Sequence, residues 1–286
     1  MTQFNNNLSP LPFYTSKDQW NSRKPYAYGA VYPLFCKVNT LLPWQAYIPK
    51  IASVKIYYAD GTLWRDVTED ALLNVHYYSW NSGNDVISYF APSFAISYDQ
   101  PEGRYYVEIN DGRGVTLYSE LYTAVQDMSA LLKVEWWDDE TLIFDAGRVA
   151  YANGYKNYVY LATQLGKPQY NFDEEGEQRD GYFFPTKMMS EKTYHFQFLA
   201  PEYLCDAMRL ARLSDHIRVT DQYGAVYDCD TFLITPKWGQ NGDVATVTAE
   251  FDTNTVVKKT GRAATGSGDY DFNGDYSSDY LINNPN

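Results

Sequence analysis

Between Gly181 and Asp215 the chain reads GYFFPTKMMSEKTYHFQFLAPEYLCDAMRLARLSD, and this stretch holds its one convincing helix together with the strand that feeds it. From Lys192 to Phe198 apolar and polar residues alternate: Tyr194, Phe196 and Phe198 fall on one side, Thr193, His195 and Gln197 on the other. That two-residue period belongs to a half-buried strand. Pro201 then suits the first position of a helix predicted over 201–215, with Glu202 near its positive end and Arg209, Arg212 and His216 near its negative end. Within it Leu204, Ala207, Met208 and Ala211 form an apolar stripe, opposed by Glu202, Asp206, Arg209 and Arg212, with Leu213 alone out of pattern. A lone amphipathic helix in a chain otherwise written in strand code covers the open face of a sheet. The expected class is therefore β-rich α+β: two antiparallel β sandwich- or barrel-like units, the second with one amphipathic helix packed on its sheet.

The order of signals divides the chain. Residues 1–45 carry Pro10, Pro12, Pro25, Pro33 and Pro43 among aromatic residues, which reads as an extended aromatic arm, since proline interrupts helices and central strands. Residues 46–128 are hairpins, VKIYY-ADGT-LWRDV and RYYVEI-NDGRG-VTLYSELY, forming a first antiparallel β unit. Residues 129–262 form the second, with strands before and after the helix and turns at Asp138–Glu140 and Asn153-Gly154. In it FDEEGEQRDGYFFP, with Asp173, Glu174, Glu175, Glu177 and Asp180, reads as a solvated acidic loop. Residues 263–286 read as a flexible tail rich in Gly, Ser, Asn and Asp.

At 286 residues a core can be buried without disulfides or metals. With 36 acidic against 23 basic residues the net charge is −13, which argues against tight binding to a nucleic-acid backbone. Three scattered cysteines, Cys36, Cys205 and Cys229, point to reduced thiols. The opening MTQFNNNLSPLPFY has no signal-peptide pattern and no window approaches a membrane span, so a soluble protein made in the cytoplasm is expected. The 28 Tyr exceed what a core needs, so part of them should lie at interfaces and part on the open faces of strands.

Chemistry-bearing motifs are few. Asp269, Asp271, Asn273, Gly274 and Asp275 resemble the start of a calcium loop, but Tyr280 stands where the closing bidentate Glu belongs, so an acidic tail is the simpler reading. In EWWDDE, Glu135 and its neighbouring acids suggest a glycosidase pair and Trp136 and Trp137 a sugar platform, yet adjacent strand residues face opposite ways and the acids most simply make a turn. His76, His195 and His216 lack metal-ligand spacing, and Asp228 and Asp230 beside Cys229 would raise rather than lower its thiol pKa. No catalytic residue and no cofactor is expected.

RKPYAYGAVYPLF (Arg23 to Phe35), GRYYVEINDG (Gly103 to Gly112) followed by YSELY, LKVEWWDD, YLATQLGKPQYNFDEEGEQRDGYFFP and FLAPEYLCDAMRL together resemble an uncharacterised family of proteins from tailed phages and prophages of Bacteroides-type bacteria. The likeness spans about Leu11 to Arg262 and leaves out the acidic tail. It implies a non-enzymatic virion structural protein, assembled in the bacterial cytoplasm and residing in the phage tail. Its outline is similar to distal-tail, adaptor and tail-tube proteins, which close into rings around the DNA channel and contact other tail and connector proteins while DNA passes without being tightly held. The expected interface residues are Tyr26, Tyr28 and Tyr32 in the arm, and Phe183, Phe184 and Pro185 before the central strand. The alternative is a carbohydrate-binding β-sandwich module that recognises a host glycan.

Overall fold

A computed structural model describes residues 9–17, 34–46, 48, 50–80, 85–90, 99–144, 147–239 and 244–259. The strands in chain order begin with β1 (Phe13–Tyr14), β2 (Phe35–Lys37), β3 (Gln45–Ala46), β4 (Ser53–Tyr58) and β5 (Leu63–Asp66). The seven-residue helix α1 (Thr68–Asn74) precedes β6 (Val75–Trp80), β7 (Asp85–Phe90), β8 (Gly103–Asn110), β9 (Thr116–Ser119) and β10 (Tyr122–Val125). Next come β11 (Leu132–Trp137), β12 (Leu142–Phe144), β13 (Gly147–Val149), β14 (Asn157–Leu161), β15 (Gln169–Arg179) and β16 (Tyr182–Pro201). Helix α2 (Glu202–Met208) tightens into a 3-10 turn (Arg209–Leu213) before β17 (His216–Thr220), β18 (Val226–Asp228), β19 (Thr231–Trp238) and β20 (Val244–Lys259). The protein is thus β-rich α+β, with two antiparallel sections of which the second carries the amphipathic helix.

The largest sheet has eleven strands, in the order β1-β9-β8-β10-β2-β14-β11-β17-β18 with β4 on β8 and β5 on β4. A four-stranded sheet runs β15-β16-β20-β19, and two small ones are β3-β7-β6 and β12-β13. By compactness the chain divides into a larger unit, residues up to Asn171 and from Ser190 to Val256, and a smaller one whose described residues are 172–189 and 257–259.

The break expected at 128/129 is therefore absent. Strand β2 lies between β10, to which it is parallel, and β14, to which it is antiparallel, so it seams the two antiparallel sections into one sheet. Val54, Ile56, Val107 and Ile109 from one side share a continuous core with Val134, Trp136, Val159 and Val219 from the other. Hairpin signals are local, whereas the partner of a three-residue strand is not, which is why the seam is invisible in the sequence.

The described parts of the N-terminal segment are also not an arm. Leu11, Leu34, Leu41, Leu42 and Trp44 are buried, and β1 pairs with β9. Pro12 is tolerated because it adjoins an edge strand, where its carbonyl still accepts from the Glu120 N–H and its missing donor is not needed. Gln45 clamps residue 150 in both directions: its side-chain amide donates to the Ala150 carbonyl at 2.7 Å and its oxygen accepts from the Ala150 N–H at 3.0 Å. Lys17 donates to the Tyr106 hydroxyl at 2.7 Å with its ammonium 4.8 to 5.5 Å from the ring centroids of Tyr106, Tyr118 and Tyr57, a cage that pins the segment to β4, β8 and β9. Much of the tyrosine excess is spent inside: Tyr14, Tyr105, Tyr106, Tyr122, Tyr155, Tyr158, Tyr194 and Tyr203 are all buried.

The central strand and helix match the reading of 192–215 except at Thr193, read as outward but buried, where its hydroxyl donates to Asp252 at 2.6 Å. Tyr194, Phe196 and Phe198 are buried, as are Leu204, Ala207, Met208 and Ala211, while Arg209, Arg212 and Leu213 are exposed. Tyr203, Cys205 and Leu210 are buried too, so the apolar face is wider than the stripe implied. The reason is that α2 meets β19 while the following 3-10 turn meets β11, β17 and β19, so the helical segment packs against strands of both large sheets. Part of the acidic excess is explained by turns. Asp60, Asp66, Asp111, Asp127 and Asp221 each accept a hydrogen bond from the backbone N–H two residues on.

Candidate functional site

The expected interface residues Phe183, Phe184 and Pro185 lie in the smaller unit, and their surroundings differ from a loop. The acidic run is strand: β15 continues through Phe172 to Arg179, and β16 begins at Tyr182 rather than near Lys192. Asp180 and Gly181 connect them with φ of 50° and 85°. Two successive left-handed residues in a two-residue connection are the preferred hairpin turn, and Asp-Gly is its usual sequence. Five acids, poor strand formers, mask that signal. They remain solvated, as read, but on a β-ribbon.

Gly176 lets the ribbon close. A Cβ there would meet the Phe184 carbonyl oxygen and come within 2.8 Å of the Phe183 ring, so that ring lies over the bare backbone. The Glu175 carboxylate accepts from Lys187 Nζ at 3.0 Å and its carbonyl from the Thr186 hydroxyl at 3.1 Å. These are thin supports. No residue of the unit with a described side chain is buried, and Phe172 is 75% exposed, Tyr182 72% and Phe183 49%. Tyr26, Tyr28 and Tyr32, and the calcium candidates Asp269, Asp271, Asn273 and Asp275, lie outside the described residues.

A second feature sits on the outward face of the eleven-stranded sheet. On β11, Leu132, Val134 and Trp136 point into the core, which turns Lys133, Glu135 and Trp137 outward. Register places Lys133 beside Tyr160 and Thr220, Glu135 beside Tyr158 and Arg218, and Trp137 beside His216. Lys37, Thr40, Lys133, Glu135, Lys156, Tyr158 and Tyr160 line an open groove of about 330 Å³. Lys133 pairs with Glu135 at 2.7 Å and lies 4.5 Å from the Tyr158 ring centroid, while Lys156 lies 3.5 Å from that of Trp137. Sequence reasoning missed this groove. The alternation on β11 marks its outward residues, but Lys37 and Lys156 arrive from β2 and the turn before β14, whose pairing no local pattern reveals.

No family model, curated protein or solved structure matches the chain.

The EWWDDE motif is taken apart by the fold. Trp136 is fully buried and Trp137 faces outward, stacked on His216 at 5.0 Å. Glu135 is the one carboxylate among the residues lining the groove, so it has no second acid across a cleft there. The 138–140 turn leads to no hairpin between β11 and β12; β11 pairs with β14 and β17 instead. Asp138 is buried and hydrogen-bonded to Asp215: burial first, then that bond, raise its pKa, while the bond and the Asp139 N–H lower that of Asp215. Asp139 in turn contacts His216 at 3.1 Å, and His195 contacts Glu250 at 3.4 Å. Among the described residues no group of three or more His, Cys, Asp or Glu is placed to hold a metal ion. Burial pushes the thiols of Cys36 and Cys229 up to about 12 and that of Cys205 to about 11, with Asp228 adding to the rise at Cys229.

Proposed function

We propose that this chain is a structural subunit of a tailed-phage virion that self-associates through the ribbon of residues 172–189, in the manner of a distal-tail or adaptor component. One observation carries the reading: the smaller unit is a single β layer with exposed aromatics and no buried side chain among those described. A single layer lacks the second layer that makes a sheet stable, so the missing cover is supplied by another molecule. Phe and Tyr are the residues that anchor such contacts. The virion assignment rests on the resemblance of the sequence blocks quoted above, among which the ribbon sequence is the most distinctive.

The carbohydrate-binding alternative draws less support. Trp136 is inside the core, and the ring of Trp137 is already engaged by a stacked His216 and by the Lys156 ammonium 3.5 Å from its centroid, so the two indoles do not form a paired sugar platform.

Light scattering of the purified protein across a concentration series, with negative-stain imaging of the same sample, tests the proposal. Closed oligomers of defined mass are expected. A strict monomer at every concentration, alone and with neighbouring tail proteins, would remove it.

A further inference from the structure

We infer that the lysine-lined groove of one copy receives the acidic ribbon of the next, so that the subunit assembles head to tail. This rests on the reading of the chain as a self-associating subunit. In a protein of net charge −13, three lysines and one glutamate line one groove. Lys133 takes up Glu135 at 2.7 Å, and neither Lys37 nor Lys156 has a carboxylate within ion-pair distance among the described residues. The Trp137 and Tyr158 rings sit beside the ammonium groups of Lys156 and Lys133, at 3.5 and 4.5 Å from ring centroid to nitrogen. An aromatic ring holds an ammonium in place without neutralising it, so the groove is prepared for an anion rather than already filled by one.

The ribbon has the complementary chemistry. Asp173, Glu174, Glu175, Glu177 and Asp180 are exposed along it, Lys187 answers Glu175, and Asp173 and Glu174 have no cationic partner among the described residues. Phe172 at 75% exposure stands directly before them, an apolar anchor beside a charged stretch, and Tyr158 and Tyr160 give the groove apolar walls. Groove and ribbon are different surfaces. Passed from one copy to the next, the contact is heterologous and closes into a ring when the rotation between copies permits.

Charge reversal on the full-length protein tests the pairing by sedimentation at low salt. Lys37→Glu with Lys156→Glu reverses the groove; Asp173→Lys with Glu174→Lys reverses the ribbon. Each pair alone is expected to weaken association by about tenfold or more, and near-ultraviolet circular dichroism reports that each remains folded. An equimolar mixture of the two, or all four substitutions in one chain, should restore assembly because both contacts again match. If the groove variant assembles like wild type while the ribbon variant does not, the groove is not the receptor, although self-association stands. Wild type that never associates overturns both readings together. An anionic oligosaccharide that binds wild type but not the groove variant, with assembly unaffected, would give the groove to a glycan and overturn the inference.

Discussion

Strand β11 and the first half of β16 show how the same polymer geometry has opposite outcomes. On β11, Leu132, Val134 and Trp136 vanish into the core and Lys133, Glu135 and Trp137 face out. On β16 the adjacent residues Tyr182, Phe183 and Phe184 are all exposed, and strict alternation sets in only from Tyr194 to Ala200. Because neighbours on a strand face opposite ways, three aromatics in a row make both faces of the ribbon apolar. The change along β16 coincides with the second layer: α2 and the 3-10 turn bury the sheet's inner face in the larger unit, and no helix lies in the described part of the smaller one. Alternation thus reports a layer above the strand. Its absence, with aromatics retained, reports a layer that comes from elsewhere.

That contrast is broken most severely in the core. Trp136→Ala should destabilise the protein by about 3–5 kcal/mol in urea titrations, through lost transfer energy and the cavity left behind. Trp136→Phe should lose much less, because the indole N–H has no hydrogen-bond partner among the described residues. Next, Gln45→Leu should destabilise by about 2 kcal/mol, since it orphans the buried Ala150 N–H and carbonyl that the side chain now satisfies. Gly176→Val should act on the ribbon alone: its branched side chain meets the Phe184 backbone, a local penalty of about 1–3 kcal/mol. Limited proteolysis should then cut within 172–189 while the main unfolding transition stays in place.

A smaller effect of opposite sign is expected at Asp138. Its folded pKa is raised above the ordinary 3.8, so its ionisation opposes folding: the stability it provides is full below 3.8 and is lost as pH rises through the raised value. Asp138→Asn keeps the uncharged form and its hydrogen bond to Asp215. Melting curves of the two proteins should coincide near pH 3 and separate at pH 7, with the variant the more stable.

How much of this was legible in the sequence follows from the range of each signal. The strand from Lys192 to Phe198, the helix after Pro201 and the Asp-Gly hairpins rest on periodicities and turn chemistry contained within a few residues, and all are present in the fold, the strand starting earlier, at Tyr182, and the helix ending in a 3-10 turn. The seam made by Phe35–Lys37 and the clamp from Gln45 to Ala150 join residues about a hundred positions apart, and nothing local announces them. The ribbon differs for another reason: Asp180-Gly181 is a sufficient hairpin signal, but its acidic flank, made of poor strand formers, reads as a solvated loop. Of the expected interface residues, Phe183, Phe184 and Pro185 fall on that ribbon, and the lysine groove escaped because it is assembled from three separate chain segments.

Whether the ribbon's aromatics are interface rather than core is decided by the solution mass of Phe172→Ser with Phe183→Ser beside wild type. Both residues are exposed, so the substitutions should change folding stability by no more than about 0.5 kcal/mol. A wild-type oligomer is expected, with a variant that is monomeric at the same concentration and has an unchanged melting temperature. A variant that keeps the wild-type mass, or that loses it only because the protein unfolds, would contradict the interface assignment.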